Sequence, residues 1–156
     1  MSLKGLKTVN KIKYIESIEE VIIIHKKTVE ISGGGADGIL NLNSLSACLE
    51  HIQNDVYYPT FTDKLTHLFF IANKSHGFQD GNKRIAIALG MKFLLDNGYL
   101  CIIQKFAEKM ESVSYQLAAS RIEKELLSDI IHSILYEDDY SEELKLRIIE
   151  AYGREI

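Results

Sequence analysis

Apolar residues recur at helical spacing along most of the chain. Ser17 with Glu20 forms a capping-box pattern ahead of Val21-Ile22-Ile23-Ile24. Leu45, Leu49 and Ile52 predict a short helix after Asn43. Thr60 with Asp63 makes a second capping box, and Leu65, Leu68, Phe69 and Ala72 form one stripe behind it. Phe106, Met110, Val113 and Leu117 mark another helix, and Ile122, Leu126, Ile130 and Ile134 the next. A last helix opens at Ser141, with Glu142 and Glu143 in its first turn, and closes near Gly153. Only two segments read as non-helical. Val29-Glu30-Ile31-Ser32 is β-prone and runs into a turn or flap, Gly33-Gly34-Gly35-Ala36-Asp37-Gly38. Leu100-Cys101-Ile102-Ile103 suggests one short buried strand.

The segment 82–97 differs from the amphipathic helices around it. Ile85-Ala86-Ile87-Ala88-Leu89-Gly90-Met91 is apolar on every side, and a helix apolar all round is buried all round. Ala86, Ala88 and Gly90 let neighbours come close, and Gly98 supplies the C-terminal stop. This predicts a central helix, so its N-terminus is a fixed point in the molecule. The expected fold is an all-α bundle around that helix, with a small β-hairpin flap at about 29–38. With 156 residues, one proline, no repeat and no linker, the whole chain, 1–156, reads as a single domain.

Composition narrows the function classes. Hydrophobic residues make up 46% and charged residues 26%, which excludes disorder and fibrous repeats. Net charge is −4, so no direct nucleic-acid binding is expected. The longest apolar run ends at Lys92, too short to cross a membrane, and the first residues lack the apolar core of a signal peptide. A cytoplasmic protein without membrane contact is expected. Cys48 and Cys101 are too few and too far apart for a zinc site or redox pair, and read as free buried thiols. Lys4, Lys7, Lys11 and Lys13 near the start, and the acidic stretch from Glu137 to Glu143, read as solvated faces.

The chemistry concentrates just before the central helix, in His76-Gly77-Phe78-Gln79-Asp80-Gly81-Asn82-Lys83-Arg84. The first amides of that helix lack internal partners, and with the helix dipole they form an anion site. Gly81 lets a phosphate approach the backbone. Lys83 and Arg84 oppose the dipole, so they are misplaced for stability but well placed for a polyanion. Asp80 suits Mg²⁺ held by a carboxylate plus substrate phosphates. His76 can take a proton near neutral pH. Phe78 would anchor the loop in the core. A lone histidine or an Asp-Gly turn is ordinarily structural; so many such groups within nine residues are not explained by a turn. His25, His51, His67 and His132 lack such company and read as structural or surface residues.

These residues resemble the Fic/Doc (Fido) signature, His-x-Phe-x-Asp/Glu-Gly/Ala-Asn-Gly/Lys-Arg, at His76, Phe78, Asp80, Gly81, Asn82, Lys83 and Arg84. The segment Gly34-Gly35-Ala36-Asp37-Gly38-Ile39 is similar to the glycine-rich segment of the Doc (death-on-curing) branch. There Leu40, Asn41, Ser46 and Ala47 replace the commoner charged or hydroxyl residues. The resemblance covers about 29–99. It implies a nucleotide-dependent transferase acting on a protein hydroxyl, with ATP and Mg²⁺. His76 would be the general base and Asp80 the metal ligand. Gly81, Asn82 and the following amides would form the phosphate nest, and Arg84 would neutralise a phosphate. Gly33, Gly34, Gly35, Asp37 and Gly38 would form the flap that receives the target backbone.

Lys83 bears on which group is transferred. Most Fic enzymes carry glycine at this position and transfer AMP; the Doc branch carries lysine and is associated with γ-phosphate transfer to elongation factor Tu. A lysine fills space that the inner phosphates would use, which would turn the nucleotide round. The family's inhibitory motif, Ser/Thr-x-x-x-Glu-Gly/Asn, has only partial fits at Ser46–Glu50 and Ser133–Glu137. Control by a separate antitoxin protein is therefore expected. The reading is a Doc-like toxin kinase that blocks translation. The alternatives are an AMP transferase using the same site and a non-catalytic nucleotide- or protein-binding module.

Overall fold

The computed structural model describes residues 11–155 and contains, among them, seven α-helices and no strand. They are α1 (Ile18–Ile31), α2 (Asn43–His51), α3 (Phe61–Lys74), α4 (Asn82–Asp96), α5 (Ile103–Ala118), α6 (Lys124–Tyr136) and α7 (Glu142–Tyr152). The fold is the all-α bundle that the apolar spacing predicts. Lys4 and Lys7 lie outside the described residues.

Helix α4 is the axis. Ile85, Ala86, Leu89, Gly90, Phe93 and Leu94 are buried, and α1, α3 and α5 pack around it; Ile87, Ala88 and Met91 are only partly buried, so the helix is central but not buried all round as its composition predicts. Small residues make this possible. A Cβ at Gly90 would stand 2.7 Å from the Phe106 ring of α5, which is closer than side chains pack. Helix α3 presents Leu65, Leu68, Phe69 and Ala72 to the same core, and its Thr60–Asp63 capping box is formed in both directions. Ser17 and Ser141 cap α1 and α7 through the amides of Glu20 and Leu144.

Both expected strands are replaced by helix. The segment 29–32 closes α1, because Val29 continues a buried face with Val21 and His25, each four residues apart. Tertiary burial overrides β-propensity there. The segment 100–102 is a turn of 3₁₀-helix leading into α5, with Leu100 exposed and no partner strand beside it. Among the described residues the hairpin flap is reduced to a single antiparallel bridge, Ile39 with Phe78. Cys48 is buried, and burial pushes its thiol up to about 12. Cys101 lies on the exposed 3₁₀ turn rather than in the core.

One lysine is fully buried without belonging to the site. Lys64 Nζ donates to the Ile52 carbonyl at 2.8 Å and to Asp55 at 2.7 Å, closing the end of α2. Among the described residues no helix is long and apolar enough to cross a membrane.

Candidate active site

The loop between α3 and α4 is held from two sides, by His25 of α1 and by Asn82 at the start of α4. Phe78 is buried and stacks on the His25 ring, with centroids 3.7 Å apart and planes 8° apart. His25 Nε2 lies 2.7 Å from the Asp80 carbonyl oxygen, a hydrogen bond that reaches from α1 to the loop. Asn82 spans the loop from the other end: its Oδ1 accepts from the Phe78 amide at 3.1 Å, and its Nδ2 donates to the Phe78 carbonyl at 2.9 Å. The Asn82 side chain is thus committed to loop geometry, and what it offers a ligand is its backbone amide.

The first turn of α4 is also pinned from α5. Ser114 Oγ donates to the Lys83 carbonyl at 2.9 Å, and Asn73 Nδ2 of α3 donates to Ser114 Oγ at 2.8 Å. Both side chains are buried, so the turn that bears Lys83 and Arg84 is fixed by a buried polar network.

Within this frame the reactive side chains point outward. His76 is exposed and sits at φ 51°, a left-handed conformation that non-glycine residues rarely adopt. Such backbone persists where the surroundings over-determine it, and it clusters at functional sites. Gly81 is the N-cap of α4 at φ 80°, and no side chain caps the helix. The first helical bond runs from the Ile85 amide to the Gly81 carbonyl, leaving the amides of Asn82, Lys83 and Arg84 uncapped. A Cβ at Gly81 would meet His25 Nε2 at 3.2 Å, so the close packing of α1 and the positive φ both favour glycine. Asp80 Oδ1 accepts from the Gly81 amide at 2.8 Å, and its carboxylate remains half-exposed.

The glycine segment lies directly against these groups. A Cβ on Gly35 would fall 2.9 Å from Asp80 Oδ2 and 3.6 Å from Arg84 Nη2. The Gln79 amide donates to the Gly38 carbonyl at 2.8 Å, and the amides of Leu40 and Asn41 donate to the Gly77 carbonyl. Gly33, Gly34 and Gly35 all have positive φ, while Asp37 is exposed. Arg84 reaches across, with Nη1 donating to Ser32 Oγ and Nη2 3.8 Å from Asp80 Oδ1. Lys83 is exposed and has no side-chain partner among the described residues.

The structure therefore gathers His76, Asp80, Gly81, Asn82, Lys83, Arg84 and the glycine segment at one end of the central helix. The Fic/DOC family model matches residues 14–94, more than half of the chain. The chain belongs to the Fic/DOC family. The match runs from just before α1 to near the end of α4 and takes in every residue of the loop. No curated protein and no solved structure matches the chain.

Two supporting residues escape the motif. His25 is a polar side chain on an otherwise apolar face of α1, and a buried polar group needs a partner; that partner is the Asp80 carbonyl. Ser32 carries no comparable signal, since its contact with Arg84 joins residues far apart in the chain.

Proposed function

We propose that this Fic/DOC protein transfers the γ-phosphate of ATP to a hydroxyl of a target protein. The observation that carries the reading is the open N-terminus of α4, where no side chain caps the helix yet two cations stand in the first turn. A protein anion would normally occupy such a position. The groups present fit a Mg²⁺-nucleotide. Asp80 offers one half-exposed carboxylate that would hold the metal, and the uncapped Asn82, Lys83 and Arg84 amides would bind a phosphate. When bound, ATP supplies the phosphoryl group and leaves as ADP.

The chain's own residues do the rest. His76 accepts the proton of the attacking hydroxyl at an imidazole nitrogen, held outward by its left-handed backbone. Arg84 neutralises phosphate charge. Lys83, exposed in the first turn of α4, would take up space that the inner phosphates would use and so favour presentation of the γ-phosphate over the α-phosphate. The glycine segment, bridged to the loop through Ile39 and Phe78, receives the target backbone with Gly33, Gly34, Gly35, Asp37 and Gly38. Elongation factor Tu is the target that the Doc-like signature suggests, with a separate antitoxin protein as the regulator. On this reading the protein acts in the cytoplasm as a translation-blocking toxin.

The test follows the label. Incubated with bacterial lysate, the protein should transfer ³²P from γ-labelled and not from α-labelled ATP, with ADP released. Uptake of α-label instead would assign AMP transfer to the same site. Uptake of neither, at any metal concentration, would reduce the protein to a binding module. Lys83→Gly should lower γ-transfer.

A further inference from the structure

We infer that Asn73 and Ser114 polarise the Lys83–Arg84 peptide from beneath the site and so strengthen the Arg84 amide as a phosphate donor. Both are positioning residues, buried below the turn rather than facing a ligand. The inference rests on the reading of the α4 N-terminus as a phosphate site. Two carbonyl oxygens fix the direction of every hydrogen bond in the relay. Asn73 Nδ2 lies 3.0 Å from the Ser114 carbonyl oxygen, which can only accept, so the asparagine turns its NH₂ group towards α5. The same NH₂ group donates to Ser114 Oγ at 2.8 Å. Ser114 Oγ gives its one proton to the Lys83 carbonyl, 2.9 Å away, which again can only accept.

The relay therefore ends on a peptide group whose other half is the Arg84 amide. In a trans peptide the C=O and N–H share one delocalised system and point opposite ways. Electron density drawn to the Lys83 oxygen from inside the bundle leaves the Arg84 N–H a better donor at the uncapped end outside. Asn73 and Ser114 are each 1% exposed, so the relay runs where hydrogen bonds polarise one another most. Stability alone does not account for the asparagine. Its Oδ1 is buried and has no partner among the described residues. An unpartnered buried acceptor is destabilising, and an apolar side chain of the same shape would avoid that cost. What only the amide supplies here is its pair of donors.

Amide NMR of the nucleotide-free protein reads the relay directly. Ser114→Ala should fold, since alanine suits the interior of α5 and the Asn73 NH₂ group keeps the Ser114 carbonyl. In this variant the Arg84 amide proton should move upfield, as a weakened donor does. The Asn82 and Lys83 amides belong to peptides that the relay does not reach, and they should move less. A mere loosening of the turn would move all three together. Asn73→Leu, which leaves the Ser114–Lys83 bond but removes the donor behind it, should move Arg84 the same way by less. Calorimetry with Mg²⁺-ATP and with adenosine forms the second arm. Ser114→Ala should weaken ATP binding by about two- to fivefold, as partial weakening of one charge-assisted bond does, and leave adenosine unchanged. An Arg84 resonance that stays in place, or moves no more than those of Asn82 and Lys83, would overturn the relay whatever the nucleotide does. No movement in Asn73→Leu would remove Asn73 from it. A displaced Arg84 resonance with unaltered ATP affinity in Ser114→Ala would overturn its role in phosphate binding while leaving the nucleotide reading intact. Equal affinity of the unmodified protein for ATP and adenosine would overturn the nucleotide reading, and with it the purpose assigned to the relay.

Discussion

Helices α4 and α6 begin alike and are completed differently. Neither has a side-chain cap, and each carries a lysine in its first turn, Lys83 in one and Lys124 in the other. Both lysines oppose the helix dipole. At α6 the protein answers the charge itself. Lys124 Nζ lies 2.6 Å from His67 Nδ1, and 5.8 and 5.4 Å from the ring centroids of Tyr58 and Phe70. Glu125 adds an acid to the same turn. At α4 there is no acid in the first turn, the cap is a glycine, and Lys83 has no partner among the described residues. A misplaced cation is therefore not in itself a sign of a ligand site. It becomes one where burial, packing and neighbouring charge leave it unanswered.

The largest expected effect falls on the α4 side. His76→Ala should lower transfer by about 10²–10⁴-fold, the usual worth of general-base assistance, with the melting temperature unchanged. Steady-state label transfer and a thermal melt check both halves. Activity equal to that of the unmodified protein would remove His76 from the chemistry.

Next in size is the support beneath the loop. His25→Ala deletes a stacked buried ring and leaves the Asp80 carbonyl without its partner. It should cost about 2–4 kcal/mol in a denaturant titration. It should also depress transfer, since Asp80 and Gly81 lose their positioning. A loss below ~0.5 kcal/mol would mean that the loop holds itself in place.

The α6 side should show itself in pH dependence rather than activity. Burial, with Lys124 and His51 nearby, lowers His67 from 6.5 to about 4. Between those values the unfolded chain takes up a proton at this position and the folded chain does not. Stability should therefore fall as pH drops from 6.5 towards 4 and gain no further penalty below. After allowance for solvent screening the fall is about 1–2 kcal/mol. His67→Gln should flatten that segment of the profile; a profile with the same slope would place the effect elsewhere. The smallest effect belongs to Lys124→Met, which should shift stability by no more than about 1 kcal/mol and leave Mg²⁺-ATP affinity as it was. A large loss of affinity would break the distinction between the two helix ends.

The sequence carries much of this, for identifiable reasons. A helix apolar on all sides has only one place in a small bundle, so α4 and its fixed N-terminus are legible from Ile85 to Met91. The loop residues are contiguous, so their company could be read directly. What stays hidden has two causes, one local and one the meeting of distant positions. The segment 29–32 reads as strand for a local reason: Val29 and Ile31 are β-prone, and the four-residue spacing that joins Val29 to Val21 passes through a polar residue, His25, which hides the stripe. His25 meets Asp80 across 55 residues and Arg84 meets Ser32 across 52, and neither pairing has a local signature. The Asn73–Ser114–Lys83 chain is likewise invisible until three helices are assembled.

The central claim is that the open end of α4 is a site for nucleotide phosphates. Calorimetric titration with adenosine and with ATP, each with Mg²⁺, tests it most directly, using the unmodified protein and Arg84→Ala. ATP should bind far more tightly than adenosine, and Arg84→Ala should remove most of that difference while leaving adenosine little changed. Equal affinity for the two ligands, or an equal loss for both on substitution, would contradict it.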